Sequence, residues 1–291
     1  MEEMMTYTID LGVIGGTGVY QMSEVSIKDE MDIITPFGKP SSPIMIGETS
    51  GKTIAFLARH GIGHRIPPSE INNRANIYAF KQLGVKSIIA ISACGSLRED
   101  FAPGDFVIPE QLVDFTKDRV RTFFQTGLVA HVSTADPFCP HLSNLIYDAV
   151  NKTGATVHKG ASLITIEGPR FSTKAESNLF RSWGMSIIGM TTSPEIFLAK
   201  EAEICYAAIA HVTDYDVWHV HEDSVTVDMI MKVIQKNGQI ATESILNLSK
   251  NLDPYDCDCH HSLASALTTS FDYMDKTEKE KLSIFIQKYL K

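Results

Sequence analysis

Short apolar runs rich in Val and Ile alternate with segments of helical periodicity along most of the chain, and this alternation constrains the fold more than any other feature. Repeated strand-then-helix units bury their apolar faces when a largely parallel sheet is covered by helices. Runs at 11–14, 53–58, 85–91, 106–113, 186–189 and 206–213 read as strands. Helices are expected from Ser69 as cap to about Leu83, with Gly84 as the stop, and over 142–153. Further helices are expected from a Thr173/Glu176 capping box towards Trp183, from Ser193-Pro194 onwards, and over 224–248 with a break at Gly238. After Asn251 the sequence turns polar and reads as a tail with one short terminal helix. The expectation is an α/β fold: a single domain over 1–250 with a central mixed, mostly parallel β-sheet flanked by helices, and a tail over 251–291.

Charge narrows the partners. Asp plus Glu outnumber Lys plus Arg by 35 to 26, a net charge of −9, which argues against a nucleic-acid groove and the basic stripe it requires. One arginine in a pocket still suffices for a small anion. No apolar run approaches a membrane span, and the acidic start MEEMMTYTID has neither the basic flank nor the apolar centre of a signal peptide. A cytoplasmic protein with no membrane or nucleic-acid partner is expected.

Four expected strand ends carry unusual loops: Gly15-Gly16-Thr17-Gly18, Arg59-His60-Gly61, Ser92-Ala93-Cys94-Gly95 and Met190-Thr191-Thr192-Ser193. In α/β folds, ligands bind outside the carboxyl ends of strands, so these loops are expected to converge. The first loop is not a dinucleotide fingerprint, because Gln21 stands where a third glycine belongs, and it lacks a Walker lysine. Its small residues still leave backbone N–H groups open to an anion. Arg59 supplies a planar fork of donors, and Thr191 sits at an expected helix start, where anions are favoured. Thr17, Ser92, Thr191 and Arg59 together suit inorganic phosphate. The triplet Arg59-His60-Gly61 also occurs in histidine phosphatases, where it lies on the first strand; here it follows another glycine loop and is succeeded by Ile62. Thr213-Asp214-Tyr215-Asp216 closes the last strand. Two carboxylates at i and i+2 of an extended segment face one side, and shared burial raises at least one pKa. A protonated and an ionised carboxyl match the edge of adenine, where N7 accepts and N6 donates.

These residues belong to stretches that resemble the 5′-methylthioadenosine phosphorylases of the purine nucleoside phosphorylase superfamily: GVIGGTG (12–18), TPFGKPS (35–41), LARHGIGHRIPP (57–68), SACGSLR (92–98), GDFVIP (104–109), DPFCP (136–140), TIEGPRFSTKAES (165–177), GMTTSPE (189–195) and TDYDVW (213–218). The Cys257-Asp-Cys259 tail resembles the archaeal and bacterial branch. The resemblance implies a nucleoside phosphorylase fold and phosphorolysis of 5′-methylthioadenosine to adenine and 5-methylthioribose 1-phosphate, with inorganic phosphate as co-substrate and no cofactor. Phosphorylases preferring adenosine, inosine or methylthioinosine are the neighbouring readings; a histidine phosphatase or a non-catalytic nucleoside-binding protein is more remote. By position, Thr17, Arg59, His60, Ser92, Ala93 and Thr191 match the phosphate site, and Met190 the ribose contact. Phe171 and Ser172 match the purine wall, and Asp214 and Asp216 the catalytic purine-edge carboxylates. His64, Val227, Ile230 and Met231 match the 5′-substituent pocket, and His131 a residue reaching a neighbouring subunit. The family forms trimers or pairs of trimers, so a homo-oligomer is implied.

Five cysteines remain outside this chemistry. Free thiols, a Cys139–Cys205 or Cys257–Cys259 disulfide, and zinc held by Cys257-Asp-Cys259-His260-His261 are all compatible with the sequence. No step of the implied reaction calls for a metal.

Overall fold

The computed structural model describes residues 7–16, 25–219 and 227–290, and for 227–232 and 234–236 the backbone only. Nine strands form one mixed sheet: β1 (Leu11–Gly15), β2 (Ser26–Met31), β3 (Ile44–Thr49), β4 (Lys52–Ala58), β5 (Ser87–Ser96), β6 (Phe106–Phe115), β7 (Val157–Ile166), β8 (Ile187–Gly189) and β9 (Cys205–Asp214). Their order is β2-β3-β4-β1-β5-β8-β7-β6-β9, and β9 returns to pair with β5, so five strands close into a ring. Five of the nine pairings are parallel. The free edge is β2, which carries Lys28, Asp29 and Glu30 and a register shift between Ile27 and Asp29.

Side chains of a strand alternate between its faces. Ile14, Ile88 and Ala90 enter one core with α1 (Asn73–Gln82), α4 (Thr192–Glu201) and α6 (Lys276–Ile286). Val13, Ile89 and Ile91 enter the other core with α2 (Pro140–Asn151) and α5 (Val227–Ser249). The remaining helix, α3 (Lys174–Ser182), opens with the expected capping box of Thr173 and Glu176.

Several boundaries differ from the sequence reading. Pro68–Glu70 forms a separate 3-10 turn with Ile71 extended, so α1 is capped by Asn72, whose side chain accepts from Ala75 N, and not by Ser69. Ser92-Ala93-Cys94-Gly95 is not a loop: β5 runs through it, because β9 continues alongside, from Ser92 opposite Ala210 to Gly95 opposite Asp214. The helix at Pro194 begins at Thr192 with Thr191 as cap, but Ser193 leaves helical geometry (φ −93, ψ 137), as residues before proline do. The described part of the long helix is continuous through Gly238, an exposed position where glycine costs about 1 kcal/mol of helix propensity without breaking the helix. Its expected start at Ser224 lies outside the described residues. Strands β2, β3 and β7 were not expected: β2 is charged and β7 begins with exposed polar residues.

After Asn251 the chain contains short turns and α6, capped by Asp275. Leu263, Ala266, Met274, Leu282, Phe285 and Ile286 are buried in the α1–α4 core, so this polar-looking segment is packed into the body of the protein.

Helix α4 ends on a buried acid, Glu201. Glu201 accepts from Phe123 N at 2.7 Å, and burial pushes its carboxyl up to about 7. A carboxyl raised in the folded state contributes stability below its unfolded value, and that contribution disappears as pH rises through about 7. The loss amounts to roughly 3 kcal/mol. Glu201→Gln, which keeps an acceptor for Phe123, is expected to flatten urea-unfolding stability between pH 5 and 8. A variant whose stability falls as steeply as that of the parent chain removes Glu201 as the cause.

Candidate active site

Strand β5 changes neighbour partway along its length. Ile88 to Ala90 lie beside β1, and Gly95 and Ser96 lie beside β8. Between them, residues 91–94 have no strand on that side among the described residues, and the sheet opens. Four segments meet at this opening. Arg59, following β4, donates its backbone N–H to Gly15 O at 3.0 Å, which draws the β1 glycine turn alongside. Arg59 Nη1 donates to Ile91 O at 3.0 Å. One residue on, Ser92 Oγ lies 3.2 Å from Thr191 Oγ1 at the start of α4. The Thr191 side chain caps no α4 N–H.

Arg59 is 1% exposed and its partner Glu195 0%. Nε and Nη2 of Arg59 donate to the two carboxylate oxygens of Glu195 at 3.0 and 2.8 Å, and Tyr206 OH donates to Oε1 at 2.6 Å. Burial, followed by the Glu195 charge, holds the Tyr206 hydroxyl well above its usual range, so it remains a donor. Arg59 thus sits where the sequence placed an anion ligand, with its charge already balanced by an internal carboxylate. Hydroxyls and backbone N–H groups must therefore carry more of any anion binding than a lone arginine suggests.

His60 Nδ1 lies 2.9 Å from Ile66 O, and its ring stacks on His64 at 4.2 Å. Burial, and next the Arg59 charge, push it down to about 4, so the ring is neutral near pH 7. A carbonyl only accepts, which puts the proton on Nδ1 and leaves Nε2 as an acceptor. Ala93 O lies 3.9 Å from where a β-carbon on Gly189 would stand, bringing β8 close to β5.

Farther along β5 is the second cluster. A β-carbon on Gly95 would lie 3.1 Å from Asp214 Oδ1 and 3.2 Å from Asp216 Cβ, so both acids lie over this glycine. They are not on a continuous extended strand as the i, i+2 argument assumed. Asp216 has φ +51 and opens the 3-10 turn Asp216–Trp218. The turn forms because Asp214 Oδ1 accepts from Asp216 N at 2.8 Å, and short acidic side chains favour this closure. Asp214 Oδ2 accepts from Thr213 Oγ1 at 2.6 Å. Burial, with a smaller contribution from Asp214, pushes the Asp216 carboxyl up to about 6. Ser172 Oγ is buried without a hydrogen-bond partner among the described residues, while Phe171 is 41% exposed. From Ser92 to Gly95 is three residues of strand, about 10 Å. Met190 occupies the turn between β8 and Thr191, and its Sδ would stand 2.6 Å from a β-carbon on Gly168.

Two residues that position this site had no expected role. Glu195 lies inside a quoted motif, but nothing local marks it as the partner of an arginine 136 positions away. Arg119 is buried and donates to Met190 O and Ser193 O at 2.7 Å each and to Glu167 O at 2.6 Å, tying the Thr191 turn to the end of β7.

Thr17 lies outside the described residues, as do the side chains of Val227, Ile230 and Met231. Those three fall on the first turns of α5, spaced along one helical face. His131 is exposed, and its backbone N–H donates to Ala266 O at 2.8 Å. Among the described residues, it bonds to nothing in the two clusters.

A sequence profile of the phosphorylase superfamily matches residues 10–249. An S-methyl-5′-thioadenosine phosphorylase from Koribacter versatilis is 49% identical over 96% of both chains, and one from Hyperthermus butylicus is 51% identical over 89% of this chain and 95% of its own. The crystal structure of a methylthioadenosine phosphorylase from an antarctic soil metagenomic library superposes with a TM-score of 0.92 at 44% identity, covering 96% of this chain and 99% of that one. The chain belongs to the phosphorylase superfamily, within the branch of the S-methyl-5′-thioadenosine phosphorylases.

Proposed function

We propose that the protein catalyses phosphorolysis of 5′-methylthioadenosine, releasing adenine and 5-methylthioribose 1-phosphate. The observation that carries this reading is the pairing of two clusters on one stretch of β5: the hydroxyls of Ser92 and Thr191 near Arg59, and the two acids over Gly95. Their separation of about 10 Å leaves room for a pentose between an oxyanion and a purine.

In the proposed reaction, Thr17, Arg59, Ser92, the Ala93 backbone and Thr191 hold phosphate against C1′. The neutral His60 accepts a hydrogen bond from it through Nε2 and forms no covalent bond. The C1′–N9 bond breaks as phosphate oxygen closes on an oxocarbenium-like sugar, whose charge phosphate offsets. Met190 packs on the ribose. Phe171 and Ser172 bound the purine. Asp214 delivers a proton to N7 and Asp216 accepts from the 6-amino group; the two share one proton, which the raised Asp216 carboxyl helps retain. Such acid assistance typically contributes ~10²–10⁴-fold. His64, Val227, Ile230 and Met231 enclose the 5′-methylthio group.

In this proposal residues 1–250 form the phosphorylase domain and 251–291 a C-terminal segment with a short terminal helix. The proposal includes a trimer, or a pair of trimers, in which His131 reaches a neighbouring subunit. The exposed rings of Phe115 and Trp183, 5.9 Å apart, support such an apolar contact. A cytoplasmic location is part of the proposal; no helix among the described residues is long and apolar enough to cross a membrane.

Adenine release from 5′-methylthioadenosine should require inorganic phosphate and yield an equal amount of sugar phosphate. Release that proceeds equally without phosphate would make the protein a hydrolase and remove the phosphate cradle from the account.

A further inference from the structure

Four of the five cysteines meet at one point on the face of the sheet covered by α2 and α5. Cys139 is the residue before α2, Cys205 is the first residue of β9, and Cys257 and Cys259 lie at the turn that follows α5. All four sulfur atoms lie within 4.8 Å of one another. Cys139, Cys205 and Cys259 are buried, and Cys257 is half-buried. The sequence reading paired these cysteines two by two, or combined the tail cysteines with His260 and His261. The fold instead brings three distant segments together.

We propose that these four cysteines form a structural zinc site that clasps the segment after α5 to the starts of α2 and β9. Zinc–thiolate bonds of about 2.3 Å in a tetrahedron place the sulfurs about 3.8 Å apart. Cys139 Sγ and Cys257 Sγ are already 3.7 Å apart, and the others need only small rotations. That spacing is far beyond a disulfide bond of about 2.05 Å. Binding replaces four S–H protons by one Zn²⁺ and leaves a net charge of −2. Three features offset that charge. Lys200 Nζ lies 3.7 Å from Cys259 Sγ, and His260 Nε2 lies 3.4 Å from Cys205 Sγ. Cys139 also stands at the N-terminus of α2, where the helix dipole favours negative charge. Four protein ligands leave no open position, so the ion holds structure and takes no part in chemistry. The clasp fastens the stretch that carries Leu263, Met274 and Phe285 into the core.

The full-length chain, purified without chelator from zinc-supplemented cells, is expected to contain about one zinc ion per chain by elemental mass spectrometry. Replacement with Co²⁺ should give the sulfur-to-cobalt charge-transfer band and the visible bands of a tetrahedral four-thiolate site. Cys139→Ser should reduce zinc content about tenfold, while His261→Ala retains it. The cobalt spectrum of the unaltered chain provides a reading even if Cys139→Ser fails to fold. Intact-mass data showing two disulfides would overturn the proposal. So would metal-free protein that takes up no cobalt with its thiols reduced, or metal lost in His261→Ala but kept in Cys139→Ser.

Discussion

Arg59→Ala is expected to lower folding stability by about 3–5 kcal/mol as well as stopping phosphorolysis. The variant leaves Glu195 at 0% exposure with a carboxylate that keeps Tyr206 as its hydrogen-bond donor but loses the guanidinium. An uncompensated charge in that position either remains at high cost or takes up a proton. Stability and phosphate binding separate in the double variant Arg59→Met with Glu195→Leu. Removing both charges together should restore much of the lost stability, because a buried ion pair contributes little over apolar residues of similar size. Phosphate affinity should stay lost. Urea unfolding of both variants, with the KM for phosphate where activity persists, tests this. If Arg59→Ala unfolds at the same urea concentration as the parent chain, the pair does not act as described.

Asp214→Asn is expected to narrow the preference for 6-amino over 6-oxo purines. The parent carboxylate accepts from both Asp216 N and Thr213 Oγ1. An amide has one accepting oxygen and one donating nitrogen, so it cannot satisfy both bonds and still serve N7 as the acid did. Turnover of 6-amino nucleosides should fall ~10²–10⁴-fold. A 6-oxo nucleoside should lose less, because the new amide beside N7 can donate to its 6-oxygen, where adenine carries a donor. The mismatch is worth ~1–3 kcal/mol, or about 10–100-fold in the ratio of kcat/KM values. Steady-state rates with methylthioadenosine and methylthioinosine measure that ratio directly. An unchanged ratio would rule out Asp214 as a selector of the purine edge.

The candidate site is legible in the sequence where residues stand that are costly elsewhere. A run of small residues, an arginine after an apolar strand and two acids closing a strand each conflict with plain core packing, and all three stand out in one dimension. In sequence Ser92 reads as a loop residue, because the Ala, Cys and Gly that follow resemble a turn. The neighbouring strand kept it extended, and pairing across more than a hundred residues has no local signature. The Arg59–Glu195 pair and the role of Arg119 have no sequence signature for the same reason: their partners are distant in sequence, and an isolated Glu or Arg usually reads as surface. The polar stretch after Asn251 looked like a tail because its buried residues are spaced irregularly around turns. The cysteines were visible singly, but their convergence needed the fold.

One end of the sheet closes on itself when β9 rejoins β5, and the other ends at β2. At the open end, a new strand from another chain would meet the hydrogen-bonding groups of β2. There Lys28, Asp29 and Glu30, together with the register shift, oppose flat docking. Fibre-like growth by stacking copies edge to edge along β2 is disfavoured from the outset.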